Sequence, residues 1–187
     1  MRGSHAQTAA PSRIHVPVTS FDPVADTRAR LLILGSMPGL RSLAAGQYYA
    51  GPRNRFWSLM GEHLGFDPAI AYGGRLSKLT DAGIALWDVL RSCEREGSLD
   101  ASIVESTEVP NDFTAFLERH SHLRAIAFNG QKAAKSFEKR VALSSPLRDR
   151  LDFLRLPSTS AANARYSHAA LVEEWRAVLR FLDRRNR

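Results

Sequence analysis

Four short apolar runs constrain this chain more than any other feature. They are Leu31-Leu32-Ile33-Leu34, Ile84-Ala85-Leu86-Trp87, Ala125-Ile126-Ala127-Phe128 and Asp152-Phe153-Leu154-Arg155-Leu156. The first three do not alternate between apolar and polar residues, so they read as strands buried on both faces, the habit of parallel sheets. Helical spacing fills the intervals: Arg55 to Leu64, Asp112 to His120, a stretch from Gly130 to about Lys139, and a closing helix from Ala169 to Leu182. Parallel strands joined through helices require right-handed crossovers and place helices on both faces. The expected fold is therefore α/β, a three-layer α/β/α sandwich around a short, mainly four-stranded parallel sheet. Ligands of such sheets bind beyond the carboxyl ends of the strands. Those ends are Gly35-Ser36-Met37-Pro38, Trp87-Asp88, Asn129-Gly130 and Pro157-Ser158.

The 187 residues suit one domain, read as residues 26–187 after a leader of residues 1–25 expected to be disordered. No apolar stretch is long enough for a signal peptide or a membrane span. The single cysteine, Cys93, leaves no intramolecular disulfide and no cluster of cysteine ligands, and fits a reducing, cytoplasmic setting. The formal net charge is +7, carried by 22 Arg and 4 Lys against 19 acids. Such an excess suits a polyanionic partner, and equally a solvated basic surface; the arginine bias favours bidentate contacts with phosphates.

The segment from Gly35 to Trp57, GSMPGLRSLAAGQYYAGPRNRFW, is the long connection in this pattern. Its glycines and prolines predict a loop of about 20 residues, a length that in compact domains usually serves function. Arg41, Arg53 and Arg55 stand among Tyr48 and Tyr49 with no acid between them. Cations can meet phosphates there and a ring can stack on an unpaired base; the tyrosines can equally pack the loop onto the core. Asn129 ends a strand before Gly130 and the lysines Lys132, Lys135 and Lys139, and reads as an edge for a base or as an Asn-Gly turn. Asp88 reads as a base contact or as a loop tie through Arg91 or Arg95. Ser158, Thr159 and Ser160 suit caps or phosphate contacts, and Asp100 suits an N-cap.

Several chemistries lack their residues. There is no G-x-S-x-G elbow, Walker loop or G-x-G-x-x-G, and His120 and His122 have no partner at zinc spacing, so neither a cofactor nor a metal is expected.

The motifs GSMPG, QYYAGPRNRFW, GIALWDVLRSCEREGSLDASI, FNG and LPSTSAANA, in that order between Leu31 and Leu182, resemble the uracil-DNA glycosylase superfamily. They are most similar to its hypoxanthine-DNA (deoxyinosine) glycosylases, and the stretch from Gly35 to Trp57 also resembles the mismatch-specific uracil-DNA glycosylases. The resemblance implies flipping of a damaged base out of duplex DNA into a pocket, because the base cannot be reached inside the duplex. It implies a catalytic Asn two residues after the first Gly in the mismatch-specific relatives, where this chain has Met37. Ser36 falls where other branches carry an acid. In the hypoxanthine branch the catalytic role passes to Asn54, which would position a water, whereas spacing alone makes Asn54 an N-cap of the following helix. Tyr49 falls on the aromatic that stacks on the flipped base. Ser36, Met37, Tyr49, Asp88 and Asn129 are thus the expected base contacts. Arg53, Ser158, Ser160, Asn163 and Arg165 are the expected DNA contacts, the last four in the loop that wedges into the duplex in relatives.

The implied function is a monofunctional DNA glycosylase of base excision repair, without the lysine nucleophile of a β-lyase in its first or last motif. Hypoxanthine is the first substrate, with uracil or xanthine as alternatives. The partner is double-stranded DNA, and the enzyme a cytoplasmic monomer with no membrane contact. Met37 at the usual catalytic position motivates a rival, a module that binds damaged DNA without cutting it. A processing enzyme for free purines is a third possibility.

Overall fold

The structure, a computed structural model, describes residues 16–182. Its strands are β1 (Val16–Thr19), β2 (Leu31–Gly35), β3 (Ile84–Asp88), β4 (Leu90–Arg95), β5 (Val109–Pro110), β6 (Ala125–Asn129) and β7 (Asp152–Leu156). Its helices are α1 (Leu40–Ala45), α2 (Phe56–Leu64), α3 (Tyr72–Asp81), α4 (Phe113–Arg119), α5 (Gln131–Arg140), α6 (Ser145–Asp149) and α7 (His168–Trp175), the last continuing as a 3-10 helix over Arg176–Phe181. The four apolar runs form one parallel sheet in the order β3-β2-β6-β7.

Alternation along these strands builds the two faces. Leu32, Leu34, Ala85, Trp87, Ile126 and Phe128 point into one layer with Phe113, Phe116 and Phe137 of α4 and α5. Leu31, Ile33, Ile84, Leu86, Ala125 and Ala127 point into the other with Phe56, Leu59, Leu79, Leu171 and Trp175 of α2, α3 and α7. Each strand residue in these rows is buried, so the continuous apolar runs reflect a sheet covered on both sides. The three-layer α/β/α expectation holds.

Four local expectations are corrected. Residues 16–25 do not belong to a disordered leader: β1 pairs antiparallel with β4 from Val16 opposite Arg95 to Thr19 opposite Ser92, and Val24 bridges to Leu86. A four-residue edge strand containing Pro17 carries little apolar signal, and an edge is where a strand tolerates proline. Residues 1–15 lie outside the described residues. The 36–55 connection is not all loop, since Leu40–Ala45 forms α1, closed by Gly46 in the left-handed region. The closing helix tightens into its 3-10 segment after Trp175. Finally β1, β4 and β5 form a small antiparallel sheet that no periodicity announced.

The strand order places a switch point between β2 and β6. From β2 the chain moves outward to β3, then returns to the other side at β6. The crevice at the carboxyl ends of β2 and β6 is where ligands of doubly wound sheets bind. Gly35–Gly39 and Asn129–Gly130 line it.

Candidate active site

Three loops converge at this edge of the sheet. The first follows β2 and carries Ser36 to Gly39; the second leads from Gly46 to Arg55 into α2; the third follows β7, from Pro157 to Tyr166.

Thr159, fully buried, joins the second and third loops to β6. Its backbone N–H donates to Asn129 Oδ1 at 2.8 Å, and Asn129 Nδ2 donates to Thr159 Oγ1 at 2.9 Å. Thr159 Oγ1 then donates to Asn54 Oδ1 at 3.0 Å. Asn54 Oδ1 also accepts the N–H of Phe56 at 3.0 Å. Both acceptor positions of this carbonyl are thereby filled, and the Asn54 NH2 has no partner among the described residues. Asn54 therefore does what an N-cap does, binding an early helix amide, while its amide nitrogen remains open. Asn129 is no mere turn residue, because both ends of its amide clamp Thr159.

Arg55 completes the clamp. Its guanidinium donates to the carbonyls of Tyr166, Ser160 (3.3 Å) and Asn163 (2.8 Å), and its N–H donates to the Thr159 carbonyl at 3.0 Å. This arginine staples the third loop to α2 and is not available to phosphate, contrary to the expectation for the basic loop. Arg53 and Arg165 are exposed. Ser158, Ser160 and Asn163 fold the third loop: Ser158 Oγ accepts from Ser160 N–H at 3.2 Å, Ser160 Oγ from Ala162 N–H at 3.3 Å, and Asn163 Nδ2 donates to the Ser158 carbonyl at 2.9 Å. Gly130 (φ +104°) is required where this loop passes, since a Cβ there would stand 2.9 Å from Ser158 Cβ.

The tyrosine pair divides. Tyr48 is buried structure, donating from its hydroxyl to the Asp22 carbonyl at 3.2 Å while its own carbonyl accepts Trp57 Nε1 at 3.0 Å. Tyr49 is only partly buried and takes a left-handed backbone (φ 55°), rare for an aromatic residue and a mark of strain of the kind that gathers at functional sites. Its ring stacks on Phe56 with centroids 3.9 Å apart. Its hydroxyl is buried without a well-formed partner, near the Asn129 amide and beside Gly35, and burial holds it protonated.

Asp88 closes the far side. Its Oδ1 lies 2.5 Å from where a Cβ on residue 35 would stand, which only glycine permits, and its Oδ2 is buried without a partner. Burial, reinforced by the neighbouring Asp100 charge and opposed by Arg95, pushes its carboxyl up to about 8. Asp88 makes no ion pair with Arg91 or Arg95 among the described residues. Arg95 is itself buried beneath the first loop, donating from Nη2 to the Pro38 carbonyl at 2.7 Å, with Nε and Nη1 unpartnered. Ser36 Oγ donates to Asp100 Oδ1 at 2.5 Å, so Asp100 ties two loops together and is not the N-cap its sequence setting predicted. Met37 is buried in the apolar layer with Trp87 and Phe113. Of the expected basic helix, Lys132 and Lys139 are paired with Glu108 and Glu105.

Sequence reasoning read Thr159 as a cap or phosphate contact, and so missed its buried bridging of Asn129 and Asn54, and missed the buried setting of Arg95. A threonine inside a serine-rich loop and an arginine at the end of a strand carry no local signal of burial; only the tertiary partners reveal them.

A parallel sheet with this order, a switch-point crevice lined by Asn54, Asn129 and Tyr49, and no group of metal-binding side chains among the described residues, describes an enzyme site built from amides and hydroxyls. The family model of the uracil DNA glycosylase superfamily matches residues 22–181, and the chain belongs to that family and is a DNA glycosylase. It is 39% identical over 163 residues to the hypoxanthine DNA glycosylase of Methanosarcina acetivorans, covering 86% of this chain and 96% of that protein. It is 38% identical over 134 residues to the hypoxanthine DNA glycosylase of Methanosarcina barkeri, covering 67% and 84%. The solution NMR structure of a Methanosarcina acetivorans protein superposes with a TM-score of 0.74 at 38% identity, over 88% of this chain and 98% of that one.

Proposed function

We propose that this enzyme excises hypoxanthine from duplex DNA by flipping the deoxyinosine nucleotide into the β2–β6 crevice and hydrolysing its N-glycosidic bond. Uracil and xanthine are the alternative substrates. The observation that carries this reading is the Asn54 amide: its carbonyl is locked by Thr159 and the Phe56 N–H, and its NH2 has no partner among the described residues. Departure of the base develops positive charge at C1′ and negative charge on the base. A fixed amide donor can hold the attacking water below C1′, which is help by position and not by proton abstraction. The donation comes from the NH2, since the carbonyl oxygen is already filled.

Tyr49 offers its ring to the flipped base, Asn129 and Asp88 its polar edges, and Ser36 and Met37 the shape of the first loop. Arg53 and Arg165 reach phosphates, while Ser158, Ser160 and Asn163 shape the loop laid against the duplex. The action is monofunctional, leaving an abasic site for base excision repair, and the enzyme works as a cytoplasmic monomer. No described helix is long and apolar enough to cross a membrane. The rival reading as a non-cutting binder rested on Met37. That side chain turns into the apolar layer, so its identity says nothing about the water.

A panel of duplex oligonucleotides containing deoxyinosine, deoxyuridine or deoxyxanthosine tests the reading. Alkali-labile sites are expected at deoxyinosine most rapidly; absence of product from all three would refute it.

A further inference from the structure

The end of β4 buries a cation that no acid touches. Arg95 is 1% exposed, and its Nη2 donates to the Pro38 carbonyl at 2.7 Å while Nε and Nη1 have no partner. Buried charges are ordinarily paired. Here Asp88 and Asp100 act on the guanidinium only through space, with no ion pair among the described residues. Asp100 is engaged by Ser36, and burial raises the Asp88 carboxyl to about 8, so at pH 7 Asp88 adds no opposing charge.

The same side of the fold turns the first loop. The Gly35 carbonyl accepts from Val89 N–H at 2.8 Å, the Ser36 carbonyl accepts from Leu90 N–H at 3.1 Å, and Arg95 takes the Pro38 carbonyl. Three carbonyls are thus drawn toward β3 and β4. In a planar trans peptide the N–H points opposite to the carbonyl, and the described peptides are all trans. The N–H groups of Ser36, Met37 and Gly39 therefore point away from β3 and β4. For Ser36 and Met37 that direction is β6 and the crevice, since β2 stands between β3 and β6. None of the three donates to a partner among the described residues. Ser36 and Met37 are buried, and buried backbone N–H groups are seldom left without something to meet them.

We propose that Arg95 is a positioning residue for base excision: it fixes the Pro38 carbonyl so that the first-loop amides face the departing base, and its charge stands behind them. This rests on the hypoxanthine reading for its substrate. When the C1′–N9 bond breaks, its electron pair leaves with the base, water adds to C1′, and the proton that the water gives up ends on the base. Fixed N–H donors and a buried cation stabilise the base while it carries that pair, and they need no rearrangement to do so. Asn54 serves the other reactant, the water, from the β6 side.

The test uses Arg95→Met, which keeps the length and removes the charge, and Arg95→Lys, which keeps the charge and one donor; thermal melting checks their folding. On duplex deoxyinosine the methionine variant should lose ~10- to 100-fold in single-turnover rate, less than a whole preorganised donor, with lesion affinity nearly unchanged. The lysine variant should recover most of the rate. The decisive comparison is deoxyinosine against 8-azadeoxyinosine, whose base leaves as a more stable anion and needs less help. The methionine variant should lose clearly less on the 8-aza substrate. Equal losses on the two substrates would mark a merely structural arginine and overturn the proposal. So would an unchanged rate, or a lysine variant no better than methionine. Should the wild type cut none of the lesions, the hypoxanthine reading fails by itself. The placement is then decided by amide NMR with free hypoxanthine as the probe. The Ser36, Met37 and Gly39 resonances must shift when the base is added to wild type, and shift less in Arg95→Met; no shift in wild type, or equal shifts in both, would overturn it.

Discussion

Two polar groups face each other across the crevice, and they are finished to different degrees. On the β6 side, Asn54, Thr159 and Asn129 tie one another down in a chain of hydrogen bonds between 2.8 and 3.0 Å, and the Asn54 NH2 is left without a partner among the described residues. On the β3 side, Asp88 Oδ2, Arg95 Nε and Nη1, and the Tyr49 hydroxyl between the two groups are buried without partners. A satisfied network fixes atoms, whereas buried unpaired polar atoms cost about 1–3 kcal/mol each and persist where they serve something else. The β6 side therefore presents the Asn54 NH2 as a preorganised donor. The β3 side holds polar capacity that a bound base can use.

The sharpest way to break this contrast is to remove the leftover donor. Asn54→Ala should lower the single-turnover rate on the preferred lesion by about 100- to 1,000-fold, the size of one preorganised donor, while leaving the affinity for lesion duplex nearly intact. A rate near that of wild type would move the chemistry away from the β6 side. Thr159→Val comes next. It keeps the buried volume and deletes the hydroxyl that aligns Asn54 and accepts from Asn129, so a loss of about 10-fold in rate is expected, one hydrogen bond's worth of alignment. Thr159→Ser should recover most of it. If Val and Ser behave alike, the hydroxyl does not position Asn54.

Sequence made the sheet legible because burial on both faces demands unbroken apolar strands, and strand ends then locate the crevice without further information. Asn54, Asn129 and Tyr49 were legible through motif order, which carries what spacing alone left ambiguous. The bracing was not legible. Thr159 and Arg55 act through partners about a hundred residues away, and nothing within a local window separates an arginine that staples carbonyls from one that meets phosphate. The edge strand Val16–Thr19 was missed because four residues that pair only with β4 leave no periodic pattern.

Between the two groups stands Tyr49. Tyr49→Ala should weaken productive binding of lesion duplex by ~1–3 kcal/mol, a stacking-sized loss read from the rate at limiting substrate. Tyr49→Phe keeps the ring and deletes an unpartnered hydroxyl, so it should cost much less. Equal losses from both would give the hydroxyl, and with it the β3 side, the larger share.

Asp88→Asn has the smallest effect at neutral pH and reports most directly on the β3 side. The Asp88 carboxyl is raised to about 8, so at pH 7 the folded protein holds it neutral, and asparagine replaces one uncharged group with another. The groups around it are Arg95, Asp100, Tyr48 and Tyr49, and burial holds both tyrosines protonated through this range. The folded state therefore binds a proton that the unfolded chain releases near pH 4. Stability from this group is full below that pH and is lost as pH rises through about 8, because the folded state then binds more protons than the unfolded one. Wild-type melting temperature should fall across this window, and the asparagine variant should lack that part of the slope. Rate follows the same logic: near pH 7 the two enzymes should agree within about threefold, and above pH ~8 wild type should decline as a buried charge forms at Gly35 while the variant holds its rate. Parallel pH profiles would show that the carboxyl is already ionised in the fold, and that Arg95, without touching it, compensates the charge.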